Sequence, residues 1–152
     1  MIIEIYCVSS SRDVGKPTQM SGCGIVFIAT NGVQSKKRSM SFGLGMSSVN
    51  IANVQVVRLA LASILPPFRK VPISIHITNK YIAELLQKIG SNYVIENDKD
   101  DIKDMRKWAD YYFNLSLILD VSKDRYMVEA KQLAKLAIND QKITDSDTID
   151  II

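Results

Sequence analysis

The chain has 152 residues, of which 47% are hydrophobic and 23% charged, with a formal net charge of +3. That is enough for one domain with a real core, and the balance is ordinary for a soluble globular protein. One His and two Cys exclude a conventional zinc centre and a disulfide framework, and the apolar runs are far shorter than a membrane span.

The N-terminal run MIIEIYC carries an acid early and no basic region, so a signal peptide is not expected and a reduced, cytoplasmic setting is. Ile2 to Val8 alternates, with Ile3, Ile5 and Cys7 on one face and Glu4, Tyr6 and Val8 on the other, as in a strand. Ser9 to Gly22, rich in Ser, Gly and Pro, reads as a loop. Cys23 to Thr30 is a second, nearly all-apolar strand. Asn31-Gly32 is a hairpin turn signal, and a third strand from about Val33 to Phe42 ends at Gly43 and Gly45.

Ser48 to Leu65 reads as a helix, with Ile51, Val54, Val57, Leu61 and Ile64 at spacings of three and four. Ser47, Ser48 and Asn50 offer N-cap oxygens, and Pro66 and Pro67 are its stop. Val71 to Thr78 alternates again, with Ile73, Ile75 and Ile77 opposite Ser74 and His76. Tyr81 to Lys88 reads as a short helix broken near Gly90, and the stretch from Glu96 to Asp104 is mostly acidic. A helix over Ile102 to Phe113 buries Ile102, Met105, Trp108 or Ala109, and Tyr112. Leu115 to Val121 is a fifth strand. A closing helix over Asp124 to Asn139 turns Met127, Ala130, Leu133, Ala134 and Ala137 inward. Residues 1–140 thus form one domain, and 141–152 an acidic, loose tail.

The order β-β-β-α-β-α-α-β-α resembles the ribonuclease H-like family. IEIYCVSS is similar to the family's first strand, x-E-I-[FY]-T-D-G-S, and GCGIVFIATNG to its second strand and turn. SVNIANVQVVRLALASI resembles the T-N-N-x-x-E-L-x-A segment, and ISIHITNKYIAEL the V-x-I-x-T-D-S-x-Y-V segment. KWADYYFNLSLILDVS resembles a late helix with its strand, and YMVEAKQLAKLAIND the closing helix. The resemblance implies an α/β fold with a five-stranded mixed sheet, three antiparallel strands then parallel crossovers, and helices on both faces.

It also implies a site of four carboxylates holding two divalent ions, because hard cations want charged oxygens and the ions activate water and stabilise the leaving oxygen. Carried over residue by residue, the four positions are Val8, Asn53, Asn79 and Lys131, the last with a register that slips by a residue or a turn. Four negative charges become one positive, and Ser122 to Tyr126 lacks the family's Gly-His pair. The expectation is a pseudoenzyme with no metal and no cofactor, binding RNA or another structured nucleic acid without cutting it. The alternative is a protein-interaction or homo-oligomerising scaffold that keeps only the fold. A third reading is an enzyme rebuilt around Glu4, Asp120 or Glu129.

For nucleic acid, Ser48 and Asn50 fall on positions where the family touches the minor groove and a phosphate. Asn53, Lys131 and the run Lys36, Lys37 and Arg38, with Arg12, Lys16, Arg69 and Lys70 nearby in kind, complete the candidates. Against them stands the acidic stretch from Tyr93 to Asp104 where the family carries a basic protrusion. His76 has no evident partner in the sequence and reads as a half-buried His. Cys7 and Cys23 lie on neighbouring strands and read as inert buried thiols. Ser9, Ser10 and Ser11 read as loop serines, since no G-x-S-x-G or Ser-His-Asp set accompanies them. Asn, Lys and Ile richness points to an AT-rich source such as a virus or phage.

Overall fold

The computed structural model describes residues 1–87, 100–120, 124–140 and 144–147. Strands β1 (Ile2–Arg12), β2 (Met20–Thr30) and β3 (Ser35–Gly45) are followed by helix α1 (Val49–Ala62), a 3-10 turn (Pro66–Lys70) and β4 (Ile73–Ile77). Then come α2 (Lys80–Gln87), α3 (Asp100–Ala109), β5 (Leu115–Leu119), α4 (Arg125–Asp140) and a short β6 (Thr144–Asp147). The sheet runs β5-β4-β1-β2-β3-β6. β1, β2 and β3 are antiparallel neighbours, and β4 and β5 join parallel to β1. The five expected strands are therefore present in the expected mixed order. β6, inside the stretch expected as a tail, pairs antiparallel with Arg38–Ser41 of β3, so those four residues belong to the sheet. The rest of 141–152 lies outside the described residues.

Pleat alternation sorts the core into two layers. Ile3, Ile5 and Cys7 of β1 join Cys23, Ile25 and Phe27 of β2 against α1, α3 and the first turns of α2. Tyr6 and Val8 join Val26 and Ile28 against Met127, Ala130 and Ala134 of α4 on the other face. α4 lies almost on the β2 backbone. A Cβ at Gly24 would sit 2.0 Å from the Ala130 carbonyl oxygen, and one at Gly22 2.6 Å from that of Ala134. Glycines on the strand and alanines on the helix are what allow this approach.

The loop expected over Ser9 to Gly22 is corrected at both ends. Ser9–Arg12 and Met20–Gly22 continue the hairpin ladder, and only the residues between them turn. Ser11 and Ser21 hydroxyls lie 2.7 Å apart, and Ser21 donates to the Ser47 carbonyl at 2.8 Å, so a buried serine on the strand is satisfied. At the next turn Gly32 takes φ +94°, and Asn31 accepts from the Gln34 N–H through its side chain.

α1 starts as expected, with the Ser48 side chain accepting from the Ile51 N–H at 3.2 Å. It ends at Ala62, three residues short of the expected Leu65. The Ser63 hydroxyl folds back to the Leu59 carbonyl at 2.6 Å, and Arg38 donates to the Ser63 carbonyl at 2.8 Å. α3 is likewise shorter than the expected Ile102 to Phe113, because Tyr111 and Tyr112 close tighter bonds to Trp108 and Ala109. Its inward residues Ile102, Met105, Ala109 and Tyr112 are buried as expected, and the Tyr112 hydroxyl donates to the Leu61 carbonyl.

Candidate nucleic-acid interface

Three segments separated in sequence meet where β1 passes α1 and the start of α2. Cys7, Asn53, Thr78 and Asn79 line a cleft of about 10 Å³, with Val57 and Ile82 in its walls. That is the room of about one water molecule. Ser9, next on the same face of β1 as Cys7, donates to the Asn53 oxygen at 2.7 Å. Asn79, directly before α2, accepts from the Ile82 N–H at 3.1 Å. A backbone N–H can only donate, so it is the oxygen of Asn79 that faces Ile82, leaving the NH2 on the other side. Both amide oxygens thus accept one bond each, and each amide keeps its NH2 to donate to a ligand.

The other two positions are placed differently. Val8 is 7% exposed and packs with Tyr6 and Val26 under α4. Lys131 is exposed on α4, the helix on the sheet face opposite α1 and Asn53. The residues present do not fit a pair of divalent ions. Val8 has no ligating atom, Lys131 is a cation on the opposite face, and two neutral amide oxygens replace the charged oxygens that hard cations want. Among the described residues, no group of three or more His, Cys, Asp or Glu is arranged to hold a metal ion.

The basic run does not form one patch. Alternation along β3 sends Lys37 to the α4 face, where it pairs with Glu129 at 2.9 Å. It sends Arg38 to the α1 face, over the Phe27 ring at 5.5 Å and onto the Ser63 carbonyl just past the end of α1. Asn53 lies about 15 Å away along α1 from that end. Arg12 donates to Asn139 at 2.9 Å, and Arg69 donates to the Ile64 carbonyl at 3.1 Å while stacking on Trp108 at 5.2 Å. Lys36 is half-buried and Lys16 and Lys70 are exposed. Ser48 spends its hydroxyl on capping, and Asn50 is exposed one turn before Asn53. Residues 88–99, with Glu96 and Asp98 of the acidic stretch expected against phosphate, and residues 121–123 of the loop without the Gly-His pair, lie outside the described residues, while Asp100, Asp101 and Asp104 of that stretch fall on α3.

One constellation escaped the sequence reading. His76 does have partners. Its Nδ1 lies 2.9 Å from Asp120 Oδ2, and its Nε2 contacts the Glu4 carboxylate. The ring also stacks on Tyr6, with centroids 4.3 Å apart and planes at 16°. Parallel pairing of β1 with β4 sets Tyr6 beside His76, and Asp120 follows β5 on the far side. Burial, followed by the nearby Asp124 and Glu4 charges, pushes the Tyr6 hydroxyl up to about 12. The signal lay in the shared parity of Glu4, Tyr6 and His76 on their strands, but the pairing of β1 with β4 is needed to read it. Glu4 and Asp120 both face His76 while Glu129 pairs with Lys37, so the three acids considered for a rebuilt active site do not converge. The two thiols are buried and unbridged. Burial pushes Cys7 above the usual thiol range and Cys23 up to about 12.

A six-stranded sheet with three antiparallel strands, parallel additions at β4 and β5, and helices on both faces is the ribonuclease H-like fold. Solved structures agree. The ribonuclease H1 known as LC9-RNase H1, described as a type 1 enzyme with the type 2 active-site motif, superposes with TM-score 0.76 at 11% identity, over 97% of this chain and 77% of that one. The ribonuclease H domain of prototype foamy virus gives 0.70 at 15% identity, over 90% and 94%. LC11-RNase H1, solved in complex with an RNA/DNA hybrid, gives 0.64 at 16% identity, over 91% and 97%. At these identities the likeness is one of fold. No protein-family model and no curated protein sequence matches the chain.

Proposed function

We propose that this chain is a catalytically inactive ribonuclease H-like module that binds RNA or another structured nucleic acid without cleaving it. One observation carries the reading. At the positions where the resemblance implies carboxylates, the fold holds Val8 in the core, Asn53 and Asn79 with their oxygens engaged, and Lys131 exposed. Two-metal hydrolysis needs anionic oxygens there. The fold's association with hybrid-bound relatives such as LC11-RNase H1 supports nucleic acid as the partner class. Titration of labelled single-stranded and duplex RNA at three salt concentrations tests it. Binding that weakens with salt is the expected result, and no binding to either overturns the reading.

The scaffold reading rests on β5. It ends the sheet, its sequence LSLIL has no charge and no proline, and Ile118 and Leu119 are 38% and 46% exposed. Within β5 itself there is no charge or proline of the kind that blunts an edge against pairing with another chain. Sedimentation across a concentration series tests this: a mass that stays monomeric dismisses it.

A further inference from the structure

We infer that the cleft between β1, α1 and the start of α2 has inverted its polarity, from a site for cations to a donor site that takes a single anionic oxygen, such as a phosphodiester oxygen, directly. This rests on the nucleic-acid reading above and names the group recognised. Ser9 donates to Asn53 Oδ1 at 2.7 Å and the Ile82 N–H donates to Asn79 Oδ1 at 3.1 Å. The Ile82 N–H can only donate and so fixes the orientation of Asn79, while that of Asn53 follows from the Ser9 hydroxyl acting as donor to Oδ1. Both NH2 groups are therefore left for whatever enters the cleft that the two side chains share. Its volume of about 10 Å³ is room for about one oxygen atom. Thr78 adds a hydroxyl, and the opposing walls are Cys7 and aliphatic groups, which carry no charge to repel an anion. An acceptor held by two oriented amides on a half-apolar floor needs no bridging metal.

Asn→Asp substitutions keep both acceptor contacts, because a carboxylate still accepts from Ser9 and from the Ile82 N–H, while each NH2 donor is replaced by negative charge. The test follows the side-chain NH2 signals of Asn53 and Asn79 by nuclear magnetic resonance while RNA is added, and compares RNA affinity with the N53D/N79D double variant. Both NH2 signals are expected to move, and the double variant to bind about tenfold more weakly or worse. The same variant is expected to gain a manganese-dependent rise in melting temperature that the wild type lacks. If wild type binds RNA but the NH2 signals stay still, the donor site is overturned while the nucleic-acid reading stands, even if added charge weakens the variant. If wild type binds no RNA, inorganic phosphate replaces it. Movement of both signals then upholds the donor site without the nucleic-acid reading, and still signals overturn both.

Discussion

Ser9 on β1 donates to Asn53 on α1 at 2.7 Å, tying strand to helix at a point where the fold's enzymes are expected to place charge. A hydroxyl-to-amide bond holds the two elements together with no ion between them. Four carboxylates in the same region would repel one another unless cations neutralised them.

The wild-type protein should therefore show no stabilisation by divalent ions. Its melting temperature with millimolar manganese should equal that with chelator. A shift of several degrees, lost in Asn53→Ala, would mean that a cation site exists there.

Close packing of α4 on β2 makes Gly24 sensitive. A Cβ 2.0 Å from the Ala130 carbonyl must push the helix away from the sheet. Gly24→Ala should cost about 3 kcal/mol or more, whereas Gly32→Ala, which meets open space, should cost only the strain of its positive φ. Denaturant unfolding of both variants measures the difference, and equal stabilities would disprove the contact.

His76 bridges Glu4 and Asp120 across three strands. His76→Ala removes the ring that links Glu4 to Asp120 and should destabilise by about 1 kcal/mol or more. His76→Gln keeps one donor and should recover part of that loss. If alanine and glutamine variants unfold at the wild-type midpoint, the bridge contributes nothing.

Alkaline pH should weaken the fold. Burial first, with the Asp124 and Glu4 charges behind it for Tyr6, raises the acids Tyr6, Tyr112 and Cys23 up to about 12. These groups keep their protons in the folded chain after the unfolded chain has lost them. Stability is then complete below the unfolded values near 9 for Cys and 10 for Tyr, and falls as pH rises toward 12. Melting curves from pH 8 to 11 check this, and Cys23→Ala should flatten the early part of the fall. A flat profile across that range would contradict it.

Much of the fold was legible because its signals are local. Ile73, Ile75 and Ile77 alternate, Asn31-Gly32 turns, and Val54, Val57 and Leu61 mark one face of α1 whatever surrounds them. The long β1–β2 hairpin was not legible, since serines favour turns and only the cross-strand Ser11–Ser21 contact shows that they continue the ladder. The candidate site divided in the same way. Motif order places Asn53 and Asn79 near one another, and they do share a cleft. But no sequence window reports that Ser9 and the Ile82 N–H consume their oxygens, or that the pleat of β3 sends Lys37 and Arg38 to opposite faces. The partners of His76 lie 44 and 72 residues away and become visible only once β4 is set beside β1.

The most direct test of binding without cleavage uses one labelled RNA–DNA hybrid and one sample. Protein is titrated by fluorescence anisotropy in magnesium and again in manganese, across three salt concentrations, and the same sample is then run on a denaturing gel. The account predicts binding that weakens with salt and a hybrid that stays intact over hours at saturating protein. Fragments that appear with wild type and vanish with an Asn53→Ala, Asn79→Ala double variant would contradict it, because catalysis would then reside in the cleft described as unable to support it.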